Sequence, residues 1–314
     1  MSEFDLIRRH FTRATPSALL GVGDDAALLQ VSEGNVLAVS SDMLVSGTHF
    51  FADADPYQLG HKTLAVNLSD MAAMGANPRW ATLALSLPVQ DEAWLEAFSA
   101  GFFTLAQQHG VELVGGDTTR GPLNLCVTIM GEVSQKLALR REGAKVGDEV
   151  WVSGTLGDAA LGLAYLQGKI DLPEEARIHC LAALHKPAPR VALGLALRGV
   201  ANSAIDISDG LLADLGHILE CSKVGAEIDF AALPVTEVLI GDELKQRFVL
   251  SGGDDYELCF TVPPTRHAEV LNIGVQQNLR LTCIGSIVTG QGCVVRDAQG
   301  NSLNIESRGY DHFR

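Results

Sequence analysis

The chain has 314 residues, 47% of them apolar, and a formal net charge of −15. That length fits two domains with real cores, and the acidic balance excludes nucleic acid as a main partner. It also excludes an unaided site for an anionic substrate, because a phosphate here needs metal ions or local cations to offset the carboxylates.

The N-terminus, Met1-Ser2-Glu3-Phe4-Asp5, is acidic and shows no apolar signal core. Residues 36–41 read as a strand ending at Asp42. Asp55-Pro56 is a cap followed by proline, so a helix is expected from there to about Met74, with Gly75 as its stop. Residues 80–87 form the next predicted strand. Residues 91–109 form an amphipathic helix with Leu95, Phe98, Phe102 and Leu105 on one face and Gly110 behind it. Strands are expected at 111–114 and 123–133. Strand and helix alternate, which predicts an α/β layer structure.

The polar stretch 134–148 marks the domain boundary, giving domains 1–137 and 138–314. The second domain opens with a strand at 149–152 and an alanine- and leucine-rich helix after Gly154-Thr155-Leu156-Gly157-Asp158. Further strands are predicted at 203–207, 226–230, 248–250, 256–262, 280–288 and 293–296, and helices at 189–200, 209–222 and 266–277. The six cysteines form no CxxC pair and lie mostly in apolar runs, as reduced core residues do. No apolar run is long enough to span a membrane. A cytoplasmic, soluble protein is expected.

Short strings of small residues ending in aspartate recur along the chain: Gly23-Asp24-Asp25, Ser40-Ser41-Asp42, Asn67-Leu68-Ser69-Asp70, Gly115-Gly116-Asp117, Asp206-Ile207-Ser208-Asp209-Gly210 and Gly252-Gly253-Asp254-Asp255. Most follow β-type residues, so their carboxylates are expected at strand mouths around one cleft. Hard oxygen donors without a Cys or His cluster favour Mg²⁺ or Mn²⁺ over zinc. Gly21-Val22-Gly23-Asp24-Asp25-Ala26 fits GxGxxA, but short β-like sequence follows it where a dinucleotide fold needs a helix. No Walker A motif is present, so ATP would not be held by a P-loop.

Each string also has a plainer explanation. Asn67 and Asp70 share a helix face three residues apart, and Asp70 needs either a hydrogen-bonding partner or an ion. Gly115-Gly116-Asp117 reads as a glycine turn whose amides suit a phosphate, or as a turn alone. Ser208 or Asp209 can cap a helix, whereas Asp206 within the strand gains nothing from capping. Surface solvation accounts for Asp255 or Glu257 as well as a ligand does. His49 suits a phosphate contact or acid–base chemistry, or is a polar loop residue; Arg141 suits a phosphate clamp or an exposed linker charge.

The strings, in this order, together with the closing Gly309-Tyr310-Asp311-His312-Phe313, resemble the thiamine-monophosphate kinase family. Its superfamily also holds aminoimidazole ribonucleotide synthetase, selenophosphate synthetase and a hydrogenase maturation protein. The resemblance implies a two-domain α/β (α+β) fold. An N-terminal mixed sheet would pair with a second subunit as a dimeric barrel, and a C-terminal α/β domain would cover the cleft. It implies phosphorylation of thiamine monophosphate by ATP, with several Mg²⁺ ions, in a homodimer. By resemblance, Mg²⁺ falls to Asp25, Ser40, Ser41, Asp42, Asp70, Asp117, Asp206 and Asp209. The nucleotide falls to Gly116, Asp117, Arg141 and Ser208, and the substrate to His49, Asp254 and Tyr310. The family often has Glu at the position of Asp254, and some members carry a nucleotide-contacting Tyr near Ser99. The acceptor is an ionised phosphate oxygen, so no catalytic base or nucleophile is expected. The rivals are another ATP-dependent activity of the superfamily and a non-catalytic nucleotide-binding protein.

Overall fold

The structure is a computed structural model that describes residues 3–237, 239, 242–305, 309 and 310. The chain divides into two compact units, one of Met1–Met71 with Ala76–Lys136, the other of Leu137–Arg314 with Ala72–Gly75. Asp311, His312 and Phe313 of the closing motif lie outside the described residues.

The first unit begins with a short helix α1 (Glu3–Leu6). It then runs β1 (Val36–Val45), α2 (Pro56–Ala73), β2 (Asn77–Leu87), α3 (Glu92–His109), β3 (Glu112–Arg120) and β4 (Asn124–Val133). The helix ends follow the cap chemistry of the sequence. Asp55 accepts the N–H of Gln58 at 2.8 Å, and Gly75 stops α2 with φ 59°. Asp91 accepts from Trp94 at 3.1 Å, and Gly110 ends α3 at φ 65°. The helices α2 and α3 cross with backbones touching. A Cβ on Gly60 would lie 2.0 Å from the Phe98 carbonyl, and one on Gly101 would lie 1.9 Å from that of Tyr57.

The four strands lie in the order β1-β4-β2-β3, an open sheet with only β2–β3 parallel. One face buries Leu83, Leu85, Leu125, Val127 and Ile129. The other face leaves Leu37, Val39 and Met43 of β1 exposed. Period-two alternation therefore sends Ser40 and Asp42 to the covered side and Ser41 to the open one. Two expectations are corrected here. Asp42 lies in mid-strand, not at a strand mouth. Gly115-Gly116-Asp117 is not a turn but part of β3, where Val114 forms a bulge between Leu113 opposite Ala81 and Gly115 opposite Thr82. Gly116 has φ 148°, and a Cβ there would sit 2.0 Å from the Leu83 carbonyl, so glycine is required.

The second unit runs β5 (Glu149–Ser153), α4 (Asp158–Leu166), α5 (Glu174–His185), α6 (Val191–Ala196), β6 (Ser203–Asp206), α7 (Leu211–Ser222), β7 (Gly225–Asp229), α8 (Asp242–Lys245), β8 (Leu258–Val262), α9 (His267–Gln277), β9 (Leu281–Val288) and β10 (Gly292–Arg296). Its sheet has the order β10-β7-β9-β5-β8-β6, antiparallel except for β10–β7. Val150, Val152, Ile205, Leu215, Ile218 and Ile284 anchor one core. Residues 248–250, expected as a strand, close a π-helical turn over Gln246–Leu250. A short apolar run has the same pattern in a buried strand and a buried helical turn. Helix α5 has no counterpart in the sequence expectations. Among the described residues no helix is long and apolar enough to cross a membrane.

Candidate active site

In the first unit, α2 is laid against the edge strand β1. Outward-facing N–H groups of an edge strand need partners beyond the sheet, and Asn67 Oδ1 takes that of Asp42 at 3.2 Å. Its Nδ2 donates to the Thr63 carbonyl at 3.0 Å, which fixes the amide. One turn along the same helix face, Asp70 accepts the hydroxyl of Ser40. The spacing of three residues thus delivers both side chains to one strand. Ser41 points the other way, bonding Thr128 Oγ1 at 3.0 Å and the Val127 carbonyl at 3.1 Å. His49 sits in the turn after β1, where its Nδ1 accepts the N–H of Val45 at 3.0 Å. That bond leaves the ring proton on Nε2 in the neutral form.

Asp25 and Asp117 meet on a cavity of about 800 Å³ whose wall includes Gly115, Gly116, Leu83 and Arg8. The register row Asp42–Val127–Leu83–Gly116 links this cavity to the β1–α2 contact. Paired residues share a face, so Asp42 points to the side on which Leu83 lines the cavity. Three strand spacings separate the ends of that row, about 14 Å. Asp117 itself pairs with Ala84, on the face opposite to Leu83 and Asp42, so Asp42 and Asp70 at the β1–α2 contact and Asp25 and Asp117 at the cavity do not form a single cluster.

In the second unit, Asp206 is the last residue of β6 and is buried. The chain then turns through Ile207-Ser208-Asp209-Gly210 into α7. Neither Ser208 nor Asp209 caps that helix. Asp214, one turn inside it, accepts the N–H groups of Ser208, Asp209 and Gly210 on a single oxygen at 3.0, 3.0 and 3.1 Å. Burial pushes the Asp214 carboxyl up to about 7, against the three N–H groups that favour its charge. The segment before β8 crosses this loop. Gly253 packs on the Ser208 carbonyl, and Asp254 and Tyr256 hold φ values of 70° and 49°. Tyr256 Oη donates to Asp254 Oδ1 at 3.2 Å. The N–H of Tyr310 donates to the Asp209 carbonyl at 3.0 Å, while its ring stays exposed.

Glu257 is not a solvated surface acid. It is buried and takes a two-pronged pair from Arg190 and the hydroxyl of Ser153. Asp255 accepts the Gly157 N–H on both oxygens at 3.0 Å. Loss of water holds its carboxyl well above the usual range, and Asp158, Glu257 and Asp254 add to the shift. Arg141 is exposed. Its carbonyl accepts the hydroxyl of Ser222, the last residue of α7, so its backbone sits about 18 Å along that helix from the Ser208 loop.

Among the described residues no three His, Cys, Asp or Glu side chains converge on a ready-made metal cage. The donors are carboxylate pairs with nearby hydroxyls. Mg²⁺ is characteristically held by one or two carboxylates plus substrate phosphates, so this donor chemistry fits it. Sequence reasoning missed Asp214, and the available signal was an acid in the first turn of a helix that opens with Gly210.

Residues 23–133 match the family model for the AIR synthase related protein, N-terminal domain, and residues 145–298 match that for the C-terminal domain. The thiamine-monophosphate kinase of Escherichia coli K12 is 49% identical over 321 residues, covering 99% of this chain and 98% of the relative. A crystal structure of thiamine-monophosphate kinase from Stenotrophomonas maltophilia K279a superposes with a TM-score of 0.88 at 48% identity, covering 96% and 98% of the two chains. The structure described as AaThiL complexed with AMPPCP and TMP superposes at 0.79 and 30% identity, covering 99% and 96%.

Two mixed α/β units matched in series by both models define an AIR synthase related fold. Identity near one half, carried over almost the whole of both chains, then narrows the class. The chain belongs to the thiamine-monophosphate kinase family and is an enzyme.

Proposed function

We propose that this enzyme transfers the γ-phosphoryl group of ATP to thiamine monophosphate, giving thiamine diphosphate, by direct in-line attack. Within this family, the observation that carries the reading is the placement of Asp25 and Asp117 on one cavity beside Gly115 and Gly116. A glycine backbone lets phosphate oxygens approach closely. The attacking phosphate oxygen is ionised at neutral pH, so the chain needs to position and neutralise, not to remove a proton.

Asp25, Ser40, Asp42, Asp70, Asp117, Asp206 and Asp209 are assigned to several Mg²⁺ ions. Ser41 is assigned with them, although its hydroxyl turns to the opposite face, where it bonds Thr128 Oγ1 and the Val127 carbonyl. Ions held by these residues would offset the charge that two phosphorylated reactants bring into an acidic site. Gly116, Asp117, Arg141 and Ser208 are assigned to the nucleotide, and His49, Asp254 and Tyr310 to thiamine monophosphate.

The first unit is assigned ATP and Mg²⁺ binding and dimerisation. The exposed face carrying Leu37, Val39 and Met43 supports a homodimer built by sheet-to-sheet pairing. An assay of ADP release decides the activity. Thiamine monophosphate should drive it, and aminoimidazole precursors or selenide should not. Turnover with either of the latter, and none with thiamine monophosphate, would reject the assignment.

A further inference from the structure

The loop between β6 and α7 has a one-to-one hydrogen-bond pattern. The N–H of Ser208 belongs to the same planar peptide as the carbonyl of Ile207. The N–H of Asp209 pairs in this way with the carbonyl of Ser208, and that of Gly210 with the carbonyl of Asp209. In a trans peptide the two groups point in opposite directions, so fixing one aims the other. Asp214 collects all three N–H groups on one oxygen. The three carbonyls on the far side accept from Tyr256 at 2.8 Å, Asp254 at 2.8 Å and Tyr310 at 3.0 Å, in that order.

We propose that Asp214 is a positioning residue: through these three peptides, one carboxylate aims Ser208 and Asp209 and sets the places of Asp254 and Tyr310. The proposal rests on the kinase reading for the roles of those four residues, and on geometry alone for the coupling. Successive N–H groups converging at a helix start form a concavity that commonly takes a phosphate. Here the protein fills it with its own side chain, so the loop is organised before any ligand arrives. Asp254 and Tyr256, held at positive φ against the preference of non-glycine residues, show that the neighbouring strand entry is tied to the same peptides.

The test is Asp214→Ala in the full chain, with and without added formate, a carboxylate small enough for the vacated concavity. The expected result is an increase in the thiamine monophosphate KM of about tenfold or more, the size seen when a residue supporting a ligand shell is lost. Formate should bring the KM back toward wild type, and chloride at equal ionic strength should not. A folded variant with wild-type kinetics overturns the proposal, as does a KM defect that formate leaves untouched. If the variant does not fold, amide hydrogen exchange on the wild-type enzyme decides. The N–H groups of Asp254, Tyr256 and Tyr310 should exchange in step with those of Ser208, Asp209 and Gly210, and independent exchange of the two sets overturns it. Failure of wild-type enzyme to use thiamine monophosphate would break the kinase reading, while hydrogen exchange would still decide the coupling.

Discussion

The acidic groups of the two units are held in different ways. In the first unit three of them are fixed by a side chain or by their place in a strand: Asp70 through Ser40, Asp42 through β1 and Asn67, Asp117 through the bulged β3. In the second unit the backbone does the holding, and the loops at 206–210 and 252–257 are interlocked peptide by peptide. The first arrangement lets a carboxylate be replaced without loosening its neighbours. The second ties several candidate groups to one another, so a single change should travel.

The largest effect expected from that contrast is in the first unit. Asp42→Asn or Asp70→Asn should lower kcat about a hundredfold or more at limiting Mg²⁺, the scale of a lost charge-stabilising group, with cooperative unfolding unchanged. Near-normal turnover in either variant would remove these residues from the proposed ion site.

Next in size is Arg190→Leu in the second unit. Leaving buried Glu257 without its partner should cost about 3 kcal/mol, read as a fall in the denaturant midpoint. A midpoint within error of wild type would mean that the pair contributes nothing to the fold. Tyr256→Phe removes one hydrogen bond to a carboxylate oxygen, worth about 1.5 kcal/mol. If the Tyr256 hydroxyl steadies Asp254, the KM for thiamine monophosphate should rise several-fold and that for ATP should not. An equal rise in both would assign the loss to general loosening.

The smallest effect is a change in pH dependence with Asp255→Asn. The native carboxyl of Asp255 is raised, so the folded state binds its proton more tightly than the unfolded chain does. Its contribution to stability is complete below the ordinary aspartate value and is lost as pH rises through the folded value. Asparagine carries no such proton. The melting temperature of Asp255→Asn relative to wild type should therefore climb as pH increases, and a flat difference would count against a proton-holding acid at this position.

Much of the first unit was legible because its punctuation is local. Asp55, Gly75, Asp91 and Gly110 mark helix ends by chemistry that acts within one turn. The pairing of Asn67 with Asp70 followed from helix geometry alone. The glycine pair of β3 was misread because a turn and a bulge draw on the same residue type, and only the neighbouring Leu83 carbonyl distinguishes them. Residues 248–250 were misread because three apolar residues have no period. The role of Asp214 was hidden for a different reason. Its partners are backbone N–H groups, which leave no mark on the sequence, and an acid in a first turn normally passes as a favourable end charge.

The alternation along β1 has one more consequence. Ser40 and Asp42 share a side with Leu44, which is buried, and Ser41 shares the other with exposed Val39 and Met43. A slip of one residue in pairing with β4 would push Leu44 into solvent and swing Asp42 away from Asn67 in the same movement. Misalignment of this strand is thus penalised by loss of core burial before any reaction is attempted. Folding itself proofreads the aim of the acid, and an inactive variant that still melts cooperatively can be assigned to altered chemistry rather than to a displaced strand.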